Sequence, residues 1–480
     1  MEDLVESFSG VRGIYGKSIT EKFAAKYASA YAEWLSKKAG KRPSVAVGMD
    51  TRKSGGRIKD AMIDALSEFC ENIFDVSVAT TPMIELAVRE YGCNGGIIIT
   101  ASHNEPEFNG WKFLGSDGAI LKPEEMEEVI KRSKSKSSKK SKKGNKADKI
   151  KEDKAAECRI ANKELDIEEK YRKFIIGILG NERIEKIKNA KLKLVVDLNG
   201  SSAWSISGKI LKDLDVESLM IAAEPGEFKR KIEPNESSLA YMGKIVKENS
   251  ADFGVGFDCD ADRAEFVAPF SEIYGKILSG HYLLAIMADY MLPNAEKSKR
   301  IVVVNDPTSQ LVHEIVKMHK GKTFEVEVGE INVVSEMKKK GAILGGEGTS
   351  SGAIIPPSTS RDGILAMAML LAIIAEKKEN LSEIIAKFPC YHTIQTKVKT
   401  HEKSVKKKIR KYFDDCRITE TGDESGGIKV WTGKNEWIWF RPSRTEPGIV
   451  RIISDSLSEE KSGELIILGK KALGIGANMC

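Results

Sequence analysis

Asp258, Asp260 and Asp262 occupy alternate positions of the segment Asp258-Cys259-Asp260-Ala261-Asp262-Arg263. Alternate carboxylates in a turn can converge on one hard cation, and oxygen donors select magnesium or calcium over zinc. An EF-hand loop also opens on three spaced aspartates, but it needs glycine sixth and glutamate twelfth. Arg263 and Pro269 stand there instead. A second segment, Thr100 to Lys112 (TASHNEPEFNGWK), offers Ser102 beside Ala101 and His103, with Asn104, Pro106 and Gly110 turning the backbone. Such a turn presents a hydroxyl with little flanking bulk. A third, Arg441-Pro442-Ser443-Arg444-Thr445-Glu446-Pro447, combines arginines, hydroxyls and free backbone N–H groups, the makings of a phosphate cradle. The fourth runs from Gly345 to Gly352 (GGEGTSSG) and matches the serine-hydrolase pattern G-x-S-x-G. That pattern needs a helix directly after the serine, whereas Ala353 to Pro357 reads as a strand and a stop. A small-residue loop letting Glu347, Thr349, Ser350 and Ser351 reach sugar hydroxyls fits better. Each segment taken alone is also compatible with a polar surface loop.

The elements that must carry these segments are short β-branched runs followed by turn residues and helical stretches. They are Ser44 to Asp50, Gly96 to Thr100, Leu192 to Asp197, Phe253 to Asp258, Ile301 to Asp306 and Ala342 to Leu344. Continuous apolar runs alternating with amphipathic helices predict α/β units with buried, largely parallel sheets. Several runs end in Asp, Thr or Gly, and the carboxyl ends of such strands are where ligands bind. Composition shifts divide the chain into residues 1–165, 166–267, 268–382 and 383–480.

The 480 residues suit several domains, and 41% hydrophobic with 30% charged residues is enough apolar surface for each to bury a core. The run Ile364 to Ala375 is too short to span a bilayer and predicts a buried helix. No secretory signal pattern opens the chain, and seven scattered cysteines without a CxxC pair suggest reduced thiols, no structural zinc and a cytoplasmic setting. The net charge of +6 hides an asymmetry. Residues 131–150 hold ten Lys/Arg and one Asp, a local +9, so the rest of the chain carries +6 − 9 = −3. This Lys/Ser tract, taken as a flexible insert over residues 131–155, predicts a solvated loop. No aromatic residue interrupts its lysines as a stacking platform requires, which disfavours nucleic acid as a partner. No feature of the sequence sets an oligomeric state.

In order and spacing the four segments resemble the α-D-phosphohexomutase superfamily, which includes phosphoglucomutases, phosphomannomutases and phosphoglucosamine mutases. The resemblance extends to Phe8-Ser9-Gly10-Val11-Arg12-Gly13 near the start, and its sugar loop is nearer to archaeal members. It implies three similar mixed α/β domains and a smaller C-terminal α+β domain around a central cleft. The activity implied is interconversion of hexose 1-phosphates and 6-phosphates through a phosphoserine at Ser102 and a bisphosphorylated sugar. Glucose, mannose and glucosamine all stay open as the hexose. Mg2+ would be held by Asp258, Asp260 and Asp262 against a phosphoserine oxygen. Arg441, Ser443, Arg444 and Thr445 would bind the phosphate that does not react, and Glu347, Thr349, Ser350 and Ser351 the sugar. Three carboxylates, a phosphoserine of about −2 and a divalent cation leave about −3 where another anion must react, so Arg12, Lys112 and Arg263 are the implied counter-cations. This sequence departs from the family pattern at Glu105, where a proline is usual, and at Cys259 and Arg444, where glycines are usual. The sugar loop also lacks its common histidine, which leaves the general base to Lys112 or His103. A non-catalytic sugar-phosphate binder of the same fold is the rival reading, disfavoured because Ser102 and all three aspartates are present.

Overall fold

The computed structural model describes residues 3–135, 158–161, 166–269, 277–402, 404–444, 446 and 448–475. The chain forms two compact units. The first comprises Met1–Ile277 with Pro357–Lys378, the second Leu278–Pro356 with Glu379–Cys480.

The first unit holds two sheets. One orders its strands Val5–Ser7, Gly10–Ile14, Phe108–Leu114, Gly95–Ile99, Ser44–Met49, Asn72–Val78 and Arg159–Ala161. In the other, Ala264–Val267, Phe253–Phe257, Lys193–Asp197 and Glu217–Ile221 are successive neighbours. The second unit also holds two. Its α/β sheet runs Lys322–Val326, Ile301–Asn305, Leu344–Glu347, Ser350–Ile354. Its antiparallel sheet runs His392–Lys399, Ile449–Ser456, Glu436–Pro442, Ile428–Gly433, Arg417–Glu420 and carries the helices Val405–Tyr412 and Glu459–Ala472, an α+β arrangement.

The three α/β sheets are mixed, with parallel pairings in the majority among the described residues, as expected, and antiparallel strands joined to them. Ser44–Met49 pairs in parallel with Asn72–Val78 and Gly95–Ile99, as β-branched runs separated by helices must. Yet Gly95–Ile99 pairs antiparallel with Phe108–Leu114, Phe253–Phe257 with Ala264–Val267, and Leu344–Glu347 with Ser350–Ile354. The physical reason is connection length, since a parallel crossover needs a dozen or more residues and these links are shorter. Each short link is one of the segments singled out in the sequence, so all three loops are hairpin turns at sheet ends.

The apolar run from Ile364 lies in the helix Gly363–Lys377, buried from Gly363 to Ala375. Asp362 caps its N-terminus by accepting from Leu365 N, and also accepts from Tyr171 Oη at 2.6 Å. The helix packs on Ile167–Ala190, so residues 357–378 join the first unit although the sequence boundaries group them with 268–382. A helix apolar on every side needs cover on every side. Lys131, Arg132 and Lys134 are not loop residues. They form the last turn of the helix Pro123–Lys134, where cations suit the helix dipole. The rest of the Lys/Ser tract, residues 136–155, lies outside the described residues. Among the described residues no helix is long and apolar enough to cross a membrane.

Candidate active site

In the first unit, Ser102 follows a fully buried strand and heads the turn before Phe108–Leu114. It is itself buried, with a positive φ of 51°. The antiparallel register sets Lys112 opposite Ile98 and Arg12 opposite Gly110. Gly110 is required there, because a Cβ would stand 2.0 Å from the Val11 carbonyl oxygen. Without that close approach Arg12 could not lie beside the serine turn, where its Nη1 donates to Asn104 Oδ1 at 3.4 Å.

The aspartate turn closes on itself and on its neighbours. Arg263 N donates to Asp258 Oδ1 at 3.3 Å, and Thr81 donates to Asp260 through both its amide and its hydroxyl, at 2.9 and 2.7 Å. Asp258, Asp260 and Asp262 are all buried, and one carboxylate oxygen from each lies within 4.8 Å of the others. Ser102 Oγ donates to Asp258 Oδ2 at 3.1 Å and lies 3.4 Å from His103 Nδ1. The hydroxyl and the aspartates, far apart in the sequence, therefore meet.

Cations offset the buried negative charge. Lys112 Nζ reaches Asp260 Oδ2 at 3.0 Å and Asp262 Oδ2 at 3.3 Å. Arg361 Nη2 pairs with Asp262 Oδ2 at 3.1 Å, and Arg263 Nε lies 4.0 Å from Asp258 and 3.9 Å from Asp262. Burial pushes the Asp258 carboxyl well above the usual range, and the charges of Asp262 and Asp260 add to the effect. Burial acts on Asp262 in the same sense, but Lys112, Arg361 and Arg263 outweigh it and hold that carboxyl low. The His103 imidazole is held well below its ordinary value by the Arg263 charge, then by burial and Arg12. The donor set fits a hard cation: three converging carboxylates, with Asp260 Oδ1 and Asp262 Oδ1 buried and accepting no hydrogen bond.

In the second unit, Glu347 closes the strand Leu344–Glu347 at a β-bulge, a feature that re-aims side chains. Its Oε1 accepts from Gly329 N at 2.9 Å and from Asn305 Nδ2 at 3.4 Å, and Asn305 Nδ2 also donates to Thr349 Oγ1. Ser350 and Ser351 begin the strand Ser350–Ile354, so no helix follows and the hydrolase elbow is absent. His281 lies beneath this loop, its Nδ1 accepting from Ser309 N at 3.1 Å, and burial lowers its imidazole to about 4. Arg441 is the penultimate residue of the strand Glu436–Pro442, and Ser443 Oγ accepts from Glu446 N at 3.0 Å. Arg444 Nη2 pairs with Glu327 Oε1 at 2.5 Å, and Arg441 Nη2 lies 3.6 Å from the same oxygen. Thr445 lies outside the described residues.

Arg52, Arg361, Asn305 and Glu327 were missed in the sequence. Arg52 and Asn305 stand at or just past the ends of strands, where the strand-end rule could have found them. Glu327 directly follows the strand Lys322–Val326 and falls under the same rule, whereas Arg361 carries no local signal.

Comparison with known proteins yields matches along most of the chain. Family models for phosphoglucomutase/phosphomannomutase alpha/beta/alpha domains I, II and III match residues 6–140, 169–269 and 279–391. A phosphoglucomutase/phosphomannomutase of Thermococcus kodakarensis is 33% identical over 474 residues, covering 97% of both chains. A probable phosphoglucosamine mutase of Thermococcus gammatolerans is 30% identical over 475 residues, covering 96% of each. The crystal structure of a putative phosphomannomutase from Thermus thermophilus superposes with a TM-score of 0.79 at 22% identity, covering 98% of this chain and 99% of the other. At that identity the last likeness is one of fold.

Proposed function

Because this chain belongs to the phosphoglucomutase/phosphomannomutase family, we propose that it interconverts hexose 1-phosphates and 6-phosphates by way of a phosphoryl group carried on Ser102. It is an isomerase that works by phosphoryl transfer. The observation that carries the assignment of its centre is the bond from Ser102 Oγ to Asp258 Oδ2 at 3.1 Å, Asp258 being one of three buried aspartates with an oxygen each within 4.8 Å of the others.

In this reading Ser102 phosphate gives its phosphoryl group to the free hydroxyl of the substrate, forming a bisphosphorylated sugar, and Ser102 Oγ then takes back the original one. Asp258, Asp260 and Asp262 would hold Mg2+, which when bound polarises the phosphoryl group and offsets its charge. Lys112, whose ammonium already donates to two carboxylates, serves as a fixed positive charge rather than as a base. Arg12 and Arg263 add to that field. The proton of the attacking hydroxyl is assigned to His103 Nδ1, on its 3.4 Å distance from Ser102 Oγ. Glu347, Thr349, Ser350 and Ser351 are assigned to the sugar hydroxyls, and Arg441, Ser443, Arg444 and Thr445 to the phosphate not being transferred. The relatives span glucose, mannose and glucosamine names, so all three sugars are candidate substrates.

The test is an assay of the purified protein with magnesium against each hexose 1-phosphate, primed with a trace of hexose bisphosphate. The parent is expected to form the 6-phosphate, with relative rates ranking the sugars. Ser102→Ala is expected to abolish the reaction, and equal rates for the two proteins would refute the phosphoserine.

A further inference from the structure

The turn that carries Ser102 is wrapped around one buried cation. Arg52, just past the strand Ser44–Met49, is only 3% exposed. Its guanidinium donates to the backbone carbonyls of Ser102 at 2.8 Å, Glu105 at 2.7 Å and Phe108 at 3.1 Å, and to that of Asn104. Asp50 orients it, with Oδ2 accepting from Arg52 Nε at 3.1 Å and Oδ1 from Arg52 N at 2.9 Å. Asp50 Oδ2 also accepts from Thr100 Oγ1 at 2.7 Å, and Thr100 Oγ1 in turn accepts from Ser102 N at 2.7 Å. Both sides of the Ser102 peptide backbone are thus tied to the same pair, the carbonyl through Arg52 and the amide through Thr100.

This arrangement has a physical purpose beyond packing. A non-glycine residue at φ 51° sits in the left-handed region at a cost of about 1–3 kcal/mol, and it stays there only if its surroundings impose it. Glu105 O also accepts from Phe108 N at 3.0 Å, but all four carbonyls gather on one guanidinium, and arginine alone among side chains offers five N–H groups in a fixed fork. Position 105 is glutamate, so the proline ring of this turn stands at Pro106, four residues past Ser102, and does not fix φ at Ser102 itself. Rotation of Ser102 out of the left-handed well would swing Oγ away from Asp258.

We propose that Arg52, oriented by Asp50, is a positioning residue for phosphoryl transfer, holding the Ser102 turn in the left-handed conformation that aims Oγ at the aspartates, with Thr100 fixing the amide side. The inference rests on Ser102 being the phosphoryl carrier.

Arg52→Lys, Thr100→Val, Thr100→Ser and Ser102→Ala test it in the full-length protein. The readout is the single-turnover rate constant of phosphoryl transfer from Ser102 to sugar, normalised to phosphoserine occupancy by intact-protein mass, together with kcat and KM. Misplacing a reacting atom by an ångström can slow a reaction about a hundredfold, so Arg52→Lys and Thr100→Val are expected to slow transfer per phosphoserine about tenfold to a hundredfold. KM for the sugar phosphate is expected to stay within about twofold, because substrate binding uses other segments. Thr100→Ser, which keeps the hydroxyl, is expected to recover most of the rate. A merely structural role would lower the folded fraction and leave the rate per phosphoserine unchanged. Parental rates per phosphoserine in Thr100→Val and in any folded Arg52→Lys would overturn the proposal. Should Arg52→Lys not fold, the Thr100 pair decides. An active Ser102→Ala would instead overturn the phosphoserine reading, a separate failure.

Discussion

Lys112→Met removes the ammonium that touches two of the three aspartates while keeping an unbranched side chain of similar length. The contacts at 3.0 and 3.3 Å correspond to about 5 kcal/mol each at an effective dielectric of about 20. Desolvation of the ammonium takes back much of that, and truncating one partner of a buried pair costs about 3–5 kcal/mol. The metal-free variant is therefore expected to lose about that much stability in denaturant unfolding with a chelator present. Metal affinity should move the other way. Lys112, Arg361 and Arg263 are cations that lie against these carboxylates, and losing one makes the site more negative by one charge. A divalent cation about 5 Å from a unit positive charge is repelled by about 1.7 kcal/mol even at the dielectric of water. Removing that repulsion should tighten magnesium binding at least about tenfold, read by titration calorimetry, and magnesium should restore more stability to the variant than to the parent. Equal magnesium affinities for the two proteins, with unchanged chelator-treated stability, would refute the view that Lys112 is the resident counter-charge of these carboxylates.

Two further outcomes follow from the second unit. Burial holds the His281 imidazole at about 4, below the ordinary 6.5. The unfolded chain consequently takes up a proton that the folded chain refuses, so His281 contributes no destabilisation above pH 6.5 and up to about 3 kcal/mol as pH falls toward 4. His281→Gln should flatten the slope of unfolding free energy in that window, and an unchanged slope would contradict a buried neutral imidazole. Gly348→Ala would place a Cβ 2.2 Å from His281 Nδ1 and 3.0 Å from Thr308 Cγ2. The loop must shift, and steady-state kinetics should show KM rising about tenfold, with phosphoserine occupancy by intact mass equal to that of the parent. An unchanged KM would dissociate this loop from the sugar.

The chemistry-bearing segments were legible in the sequence because each is contiguous and stands where a buried strand ends. Asp258, Asp260 and Asp262 lie within one turn, so their spacing permits convergence, and backbone geometry over a few residues brings one carboxylate oxygen of each within 4.8 Å of the others. The all-apolar helix Gly363–Lys377 was legible for the same local reason. What the sequence could not show was which distant groups complete each turn. Lys112 and Arg361 reach Asp262 from 150 and 99 residues away, and Arg52 reaches Ser102 from 50. Those contacts depend on strand register and on where the helix Gly363–Lys377 docks, and neither leaves a periodic trace. The sense of the hairpin strands belongs here too, since Phe108–Leu114 and Ala264–Val267 are apolar enough to suit either direction and only the short links forbid a crossover. Residue types and local spacing thus marked the candidate segments, while long-range pairing of the backbone decided which cations lie against the aspartates and which groups hold the Ser102 turn.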